Sequence, residues 1–137
     1  MDWVVGSALG AVTFAYAVAL QTGARAGFTE KDGDAMKLAR FEVKPGQQVL
    51  VVEDTISTGG STLKTIEGLQ RAGVAAEAIL PYIVCLVNRS GTNTLAGREL
   101  RALLTLDIHT WKAEECPLCK QGSAAVRPKS HWAELTK

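Results

Sequence analysis

Glu53 and Asp54 stand directly before a run of hydroxyls and glycines, Thr55-Ile56-Ser57-Thr58-Gly59-Gly60-Ser61-Thr62. Gly59 and Gly60 let a backbone turn tightly and come close to a ligand. Ser57, Thr58, Ser61 and Thr62 bring hydroxyl donors to the same turn, beside the free N–H groups of a helix start. Donors converging in this way bind a phosphate dianion. The two carboxylates cannot share that task, because like charges repel. They can accept hydrogen bonds from the vicinal hydroxyls of a ribose, and one can hold a metal that bridges to a second phosphate. The expected ligand is a ribose 5-phosphate group. A lone Gly-Gly turn would read as an ordinary strand–turn–helix with a Ser or Thr cap, and the joint pattern goes beyond that. No Gly-Lys-Ser or Gly-Lys-Thr is present, nor the Gly-x-Gly-x-x-Gly of dinucleotide folds.

The flanking residues supply the elements that must hold this loop. Gln48-Val49-Leu50-Val51-Val52 is apolar and β-branched, as in a parallel strand covered on both faces. After the loop, Leu63, Ile66 and Leu69 recur at helical spacing until Ala72-Gly73. Upstream, Trp3-Val4-Val5-Gly6 predicts a buried strand entering a loop, Leu9 to Thr22 a helix stopping before Gly23, and Ala24 to Thr29 a second strand. Asp32-Gly33 marks a turn, and Met36 to Val43 alternates like a half-exposed strand. Ala78 to Val87 and Arg101 to Leu106 predict two more strands. Strands alternating with helices imply an α/β fold, a mostly parallel β-sheet flanked by helices. Residues 1–110 form the core, and the polar, turn-rich 111–137 a C-terminal cap of the same domain, anchored by Trp111 and Trp132.

The bulk properties agree with one globular domain. The chain has 137 residues, 47% of them apolar and 21% charged. A formal net charge of +1 argues against nucleic acid or an anionic membrane as partner. The apolar stretch from Trp3 to Leu20 lacks a basic leader and is interrupted by Gly6, Ser7, Gly10 and Thr13, so it reads as strand and helix and not as a span or signal. Three cysteines suit a reduced, cytoplasmic protein better than a disulfide scaffold. Cys85 reads as core. Cys116 and Cys119 form a single CxxC with His109 and His131 only loosely near, which reads as a structural turn before a zinc site.

The stretch Val49–Thr62 resembles the phosphoribosyl pyrophosphate signature of the type I phosphoribosyltransferases: four apolar residues, two acids, then a Thr/Ser/Gly loop. Other segments resemble the orotate branch of that family. Val4-Val5-Gly6-Ser7-Ala8-Leu9-Gly10-Ala11 is similar to its pyrophosphate loop, and Leu86-Val87-Asn88-Arg89-Ser90-Gly91 to the strand end whose arginine contacts orotate. Leu103-Leu104-Thr105-Leu106-Asp107-Ile108 and Cys116-Pro117-Leu118-Cys119-Lys120-Gln121-Gly122 are similar to the C-terminal part of a bacterial and archaeal subgroup. The likeness runs from about Trp3 to about Ser130.

The resemblance implies a Rossmann-like core and a reaction in which orotate and phosphoribosyl pyrophosphate give orotidine 5′-monophosphate and pyrophosphate. It implies Mg2+ bound mainly through the substrate, with Asp54 as the candidate protein ligand. By matching motif, Glu53 and Asp54 bind the ribose hydroxyls, and Thr55, Ser57, Thr58, Gly59, Gly60 and Ser61 hold the 5-phosphate. Ser7, Ala8, Leu9 and Gly10 wrap the pyrophosphate, Lys31 belongs to a loop that closes over the site, and Arg89 meets orotate. A homodimer is implied. Relatives carry an N-terminal hood before the strand at Trp3, so a fragment or a naturally shortened form is expected here. Ser7 stands where the subgroup usually has proline, Ala11 where glycine is common, and Asn88 where aspartate is usual, while Asp32 and Asp34 dilute the charge near Lys31. These departures leave the phosphate loop intact. The alternatives are a non-catalytic module that binds phosphoribosyl pyrophosphate or a nucleotide, and transfer to a purine or uracil, against which Asn88-Arg89 and the Cys-Pro-Leu-Cys tail argue.

Overall fold

The computed structural model describes residues 1–109, 111–112, 114–123, 126 and 130–136. In chain order the elements are β1 (Trp3–Ser7), α1 (Val12–Thr22), β2 (Arg25–Asp32), β3 (Ala35–Lys37), β4 (Val49–Ile56), α2 (Gly60–Arg71), β5 (Ile79–Asn88), β6 (Thr94–Leu95), β7 (Arg98–Thr105), α3 (Pro117–Lys120) and α4 (Trp132–Leu135). One sheet runs in the order β3-β2-β1-β4-β5-β7-β6. Its five central strands are parallel, and only the short edge strands β3 and β6 pair antiparallel. The fold is the expected α/β type with a mostly parallel sheet.

β4 lies at the centre because its residues can be buried on both faces. Val49 and Val51 point to the α2 side, where Val5, Ile56, Ile66, Leu69, Ile83 and Leu100 complete the main core. Leu50 and Val52 point to the α1 side, against Val4, Ala15 and Ala19. The alanines let α1 ride close to the sheet. β1 and β4 pair in register from Trp3↔Val49 to Gly6↔Val52, so the residues that follow, Ser7 and Glu53, arrive side by side.

Several elements differ from their sequence-based bounds. α1 begins at Val12, because Ser7–Ala11 forms a loop, and β4 continues through Glu53 and Asp54 to Ile56, where it pairs with Asn88 of β5. The strand expected from Met36 to Val43 amounts to Ala35–Lys37. Beyond it Leu38 and Phe41 turn inward, with the Phe41 ring 6.0 Å from Trp3 and 5.0 Å from Phe28, so apolar alternation there serves core plugging. Trp111 and Trp132 are 49% and 66% exposed and do not anchor the end of the chain. Part of the expected cap lies outside the described residues. No helix among the described residues is long and apolar enough to cross a membrane.

Candidate functional site

Parallel strands of an open sheet carry their ligands at the carboxyl ends. Here β1, β4 and β5 end at Ser7, Ile56 and Asn88, and all the residues expected to do chemistry except Lys31, which lies near the end of β2, sit at these strand ends or on the segments that follow.

The β4–α2 junction forms a small cup lined by hydrogen-bond donors. Gly59 has φ +76 and serves as the α2 N-cap, and no side chain among the described residues caps that helix. The first N–H groups of α2 are therefore left to a ligand, at the positive end of its dipole. Glu53, Thr55, Ser57, Thr58, Gly59, Gly60, Ser61 and Thr62 line a cup of about 50 Å³ there. The left-handed backbone angle of Gly59 favours glycine, and a Cβ there would stand 2.6 Å from the end of the Leu95 side chain, which would have to move.

The two carboxylates occupy different environments. Glu53 is 3% exposed. Both its oxygens accept from Ser7 Oγ at 2.8 Å, and Thr62 Oγ1 donates to Oε2 at 3.4 Å. Burial pushes Glu53 up from its ordinary 4.5 to about 7; the Ser7 bond opposes this and neighbouring Asp54 adds to it. Asp54 is half-exposed; Oδ1 accepts from the Thr55 N–H at 2.7 Å. Its carboxyl lies against Gly10, where a Cβ would collide with Oδ2. Gly10 thus brings the β1–α1 loop, whose Ala8–Leu9 peptide is cis, into contact with Asp54. Asp54 is the hard, accessible oxygen donor that suits Mg2+ beside substrate oxygens.

Lys31 sits near the tip of the β2–β3 hairpin. Gly68 and Arg71 fix that hairpin on α2: the Met36 carbonyl lies against Gly68 and accepts from Arg71 at 2.8 Å. A buried Thr29–Thr65 hydroxyl pair at 2.8 Å makes a second tie. Lys31 borders a cleft of about 730 Å³ with Ala8, Leu9, Gly10, Phe28, Glu30 and Arg40. It also borders one of about 340 Å³ with Thr58, Gly60, Ser61 and Lys64. It thereby stands between the β1–α1 loop and the phosphate cup.

Arg89 follows buried Asn88. Asn88 Oδ1 accepts from Ser90 N at 3.0 Å and Ser90 Oγ at 2.7 Å, while its Nδ2 donates to the Thr92 carbonyl at 2.8 Å. Arg89 N donates to the Ile56 carbonyl at 2.8 Å. This braced turn borders a cleft of about 290 Å³ with Ser57, Thr58, Asp107 and His109.

The geometry therefore gathers the sequence-derived residues around one rim. Sequence reasoning missed two contributors and one further contact. Arg40 enters the cleft from the irregular segment after β3 and pairs with Glu30 at 2.9 Å. His109 borders the Arg89 cleft, its ring 4.5 Å from Trp111. Thr62, read as one of the phosphate hydroxyls, also reaches Glu53. No local pattern marks Arg40 or His109, which lie far from the loop in sequence. A signal for the Ser7–Glu53 bond exists only in hindsight, as a hydroxyl where proline is usual.

No protein-family model matches the chain. It is 44% identical to an orotate phosphoribosyltransferase of Caldicellulosiruptor bescii over 133 residues, 95% of this chain and 67% of that protein. It is 42% identical to that of Thermotoga maritima over 134 residues, 95% of this chain and 68% of that protein. It superposes on the crystal structure of orotate phosphoribosyltransferase from Aeropyrum pernix with a TM-score of 0.58 and 26% identity, over 77% of this chain and 60% of that one. The chain thus spans about two thirds of the length of the curated relatives it matches.

Proposed function

The chain belongs to the orotate phosphoribosyltransferase family, a family of glycosyltransferases of pyrimidine biosynthesis, and we propose that its rim binds phosphoribosyl pyrophosphate and transfers the phosphoribosyl group to orotate. The observation that carries this reading is the cup of about 50 Å³ at the α2 N-terminus with the accessible Asp54 carboxylate beside it.

The cup takes the 5-phosphate through backbone N–H groups and the hydroxyls of Thr55, Ser57, Thr58 and Ser61. Asp54 accepts hydrogen bonds from the ribose hydroxyls, and its charge favours the ring as positive charge develops at C1. Glu53, buried against Ser7 and Thr62, aligns Asp54 and joins the two loops; it reaches the ribose itself if the Ser7 bond opens. Ala8, Leu9 and Gly10 wrap the pyrophosphate by their backbone. Lys31 and Arg40 meet the charge that accumulates on it as the C1–O bond breaks. Arg89 holds the orotate carboxylate in the adjoining cleft, so that the base nitrogen takes the place of the departing oxygen at C1. Asp54 would hold Mg2+ together with substrate oxygens, and the bound ion would supply charge neutralisation for the leaving group. Homodimerisation through the open α1 face of the sheet belongs to the same proposal, supported by exposed Tyr16, Leu20 and Leu103.

Calorimetric titration with phosphoribosyl pyrophosphate and Mg2+ tests the site. Saturable binding is expected, weakened roughly tenfold to hundredfold in Asp54→Asn, the worth of a charge-assisted hydrogen bond. Adding orotate then releases pyrophosphate. Binding without release identifies a non-catalytic module, and no binding by the native chain sinks the reading of the cup.

A further inference from the structure

Cys116-Pro117-Leu118-Cys119 lines none of the clefts described above, and no step of the proposed transfer uses it. Cys116 is the N-cap of α3 and Pro117 occupies its first turn. The Cys119 N–H donates to Cys116 Sγ at 3.4 Å. This backbone donor holds the Cys116 thiol below its ordinary range, while the neighbouring Cys116 sulfur and burial hold Cys119 above its own. Both cysteines are free and partly accessible, whereas Cys85 is buried in the core. The two sulfurs share one turn and are unequal in acidity.

A sulfur that only capped the turn could be replaced by a serine hydroxyl. A closed zinc site needs four ligands. Among the described residues no group of three or more His, Cys, Asp or Glu stands close enough to hold a metal. A partly accessible thiol that accepts a backbone N–H, with a second free thiol on the same turn, is instead the arrangement of a dithiol that exchanges with disulfides.

We propose that Cys116 and Cys119 form a redox-active dithiol, with Cys116 the attacking sulfur, Cys119 the resolving sulfur, and a small-molecule disulfide of the glutathione class as oxidant. The Cys116 thiolate attacks one sulfur of the disulfide; the S–S bond breaks and one glutathione leaves as thiolate, taking up a proton from water. Cys119 then gives up its proton and attacks the Cys116 sulfur, expelling the second glutathione. Two protein thiols become one disulfide, and one glutathione disulfide becomes two thiols.

The purified chain is equilibrated in glutathione buffers of graded oxidised-to-reduced ratio, quenched with acid and weighed intact. Expected is the loss of two hydrogen atoms per chain, mapped to a Cys116–Cys119 peptide, with Cys85 still reduced, and reversal by excess reduced glutathione. In Cys119→Ser, Cys116 accumulates as the mixed disulfide. In Cys116→Ser, which removes the sulfur held by the Cys119 N–H, Cys119 is captured more slowly. The proposal is overturned if no internal disulfide forms at any ratio, or if the two single variants are captured at equal rates. Zinc retained through gel filtration in a thiol-dependent way overturns it in favour of a metal site shared between chains.

Discussion

The two faces of the sheet are packed very differently. On the α2 side, the amphipathic helix lays Ile66 and Leu69 on Val49, Val51, Ile83 and Leu100, and Trp3, Leu38 and Val74 seal the margins. On the α1 side, the helix is apolar almost all round but buries only Ala15 and Ala19, and it lies over β2 and β1 and reaches β4 less. Further along that face Tyr82 and Val84 are half-buried and Leu103 is 84% exposed, with Arg101 stacked on the Tyr82 ring at 4.0 Å. The candidate site lies at the end of β4, the strand covered on both sides. Ligand-binding loops gain precision from such support, because the backbone beneath them cannot yield. The open α1 face lies over β5 and β7, away from the phosphate cup, so it can remain available to a second copy without loosening the site.

Core substitution is the largest expected effect and the most direct attempt to break this contrast. Ile83→Ala, on the α2 face, should cost about 2–5 kcal/mol in urea unfolding. A loss below about 1 kcal/mol would mean that the face is less well packed than described. Next comes Glu53, whose carboxyl is forced into the region between the loops. Its pKa in the folded chain is about 7, above its ordinary 4.5, so the unfolded chain gives up this proton first. The resulting stability is complete below pH 4.5 and falls as pH rises towards 7, by on the order of 1–3 kcal/mol. Unfolding curves without substrate or Mg2+ should show this decline, and Glu53→Gln should flatten it. An unchanged pH profile in the variant would remove Glu53 as its source.

Gly59→Ala is expected to cost about 1–2 kcal/mol, since φ there is +76 and Leu95 occupies the space of a Cβ. It should also weaken phosphoribosyl pyrophosphate binding in the calorimeter. Retained affinity would show that the cup tolerates rearrangement. The smallest effect sharpens the contrast most. Leu103→Ala should lie within about 0.5 kcal/mol of the native chain if the α1 face is open to water. A larger and concentration-dependent cost would show that a second copy covers Leu103, which light scattering at micromolar concentration checks independently.

Strand β4, the turn at Gly59-Gly60 and helix α2 were legible because each announces itself within a few residues: a β-branched run, paired glycines, a helical apolar stripe. The parallel sheet followed from the alternation of such units. Less legible were segments whose conformation depends on a neighbour. Residues 38–43 alternate like a strand, yet the chain leaves β2 after pairing with Glu30–Asp32, and the core takes Leu38 and Phe41 as plugs. The β6–β7 hairpin likewise depends on Leu95 packing beside Gly59.

For the site, the residue types and their spacing in Glu53–Thr62 determined a cup of donors beside two acids, because a tight loop between strand and helix orders its own donors. Tertiary structure alone decided which carboxylate stays open. In the sequence Glu53 and Asp54 are equivalent neighbours. In the sheet, successive strand residues face opposite ways, and the β1–β4 register brings Ser7 to one and Gly10 to the other. One acid is buried and hydrogen-bonded by a partner 46 residues away, the other is left to solvent and ligand. Arg40 reaches the cleft by the same route, through packing between segments that have no local relation in the chain.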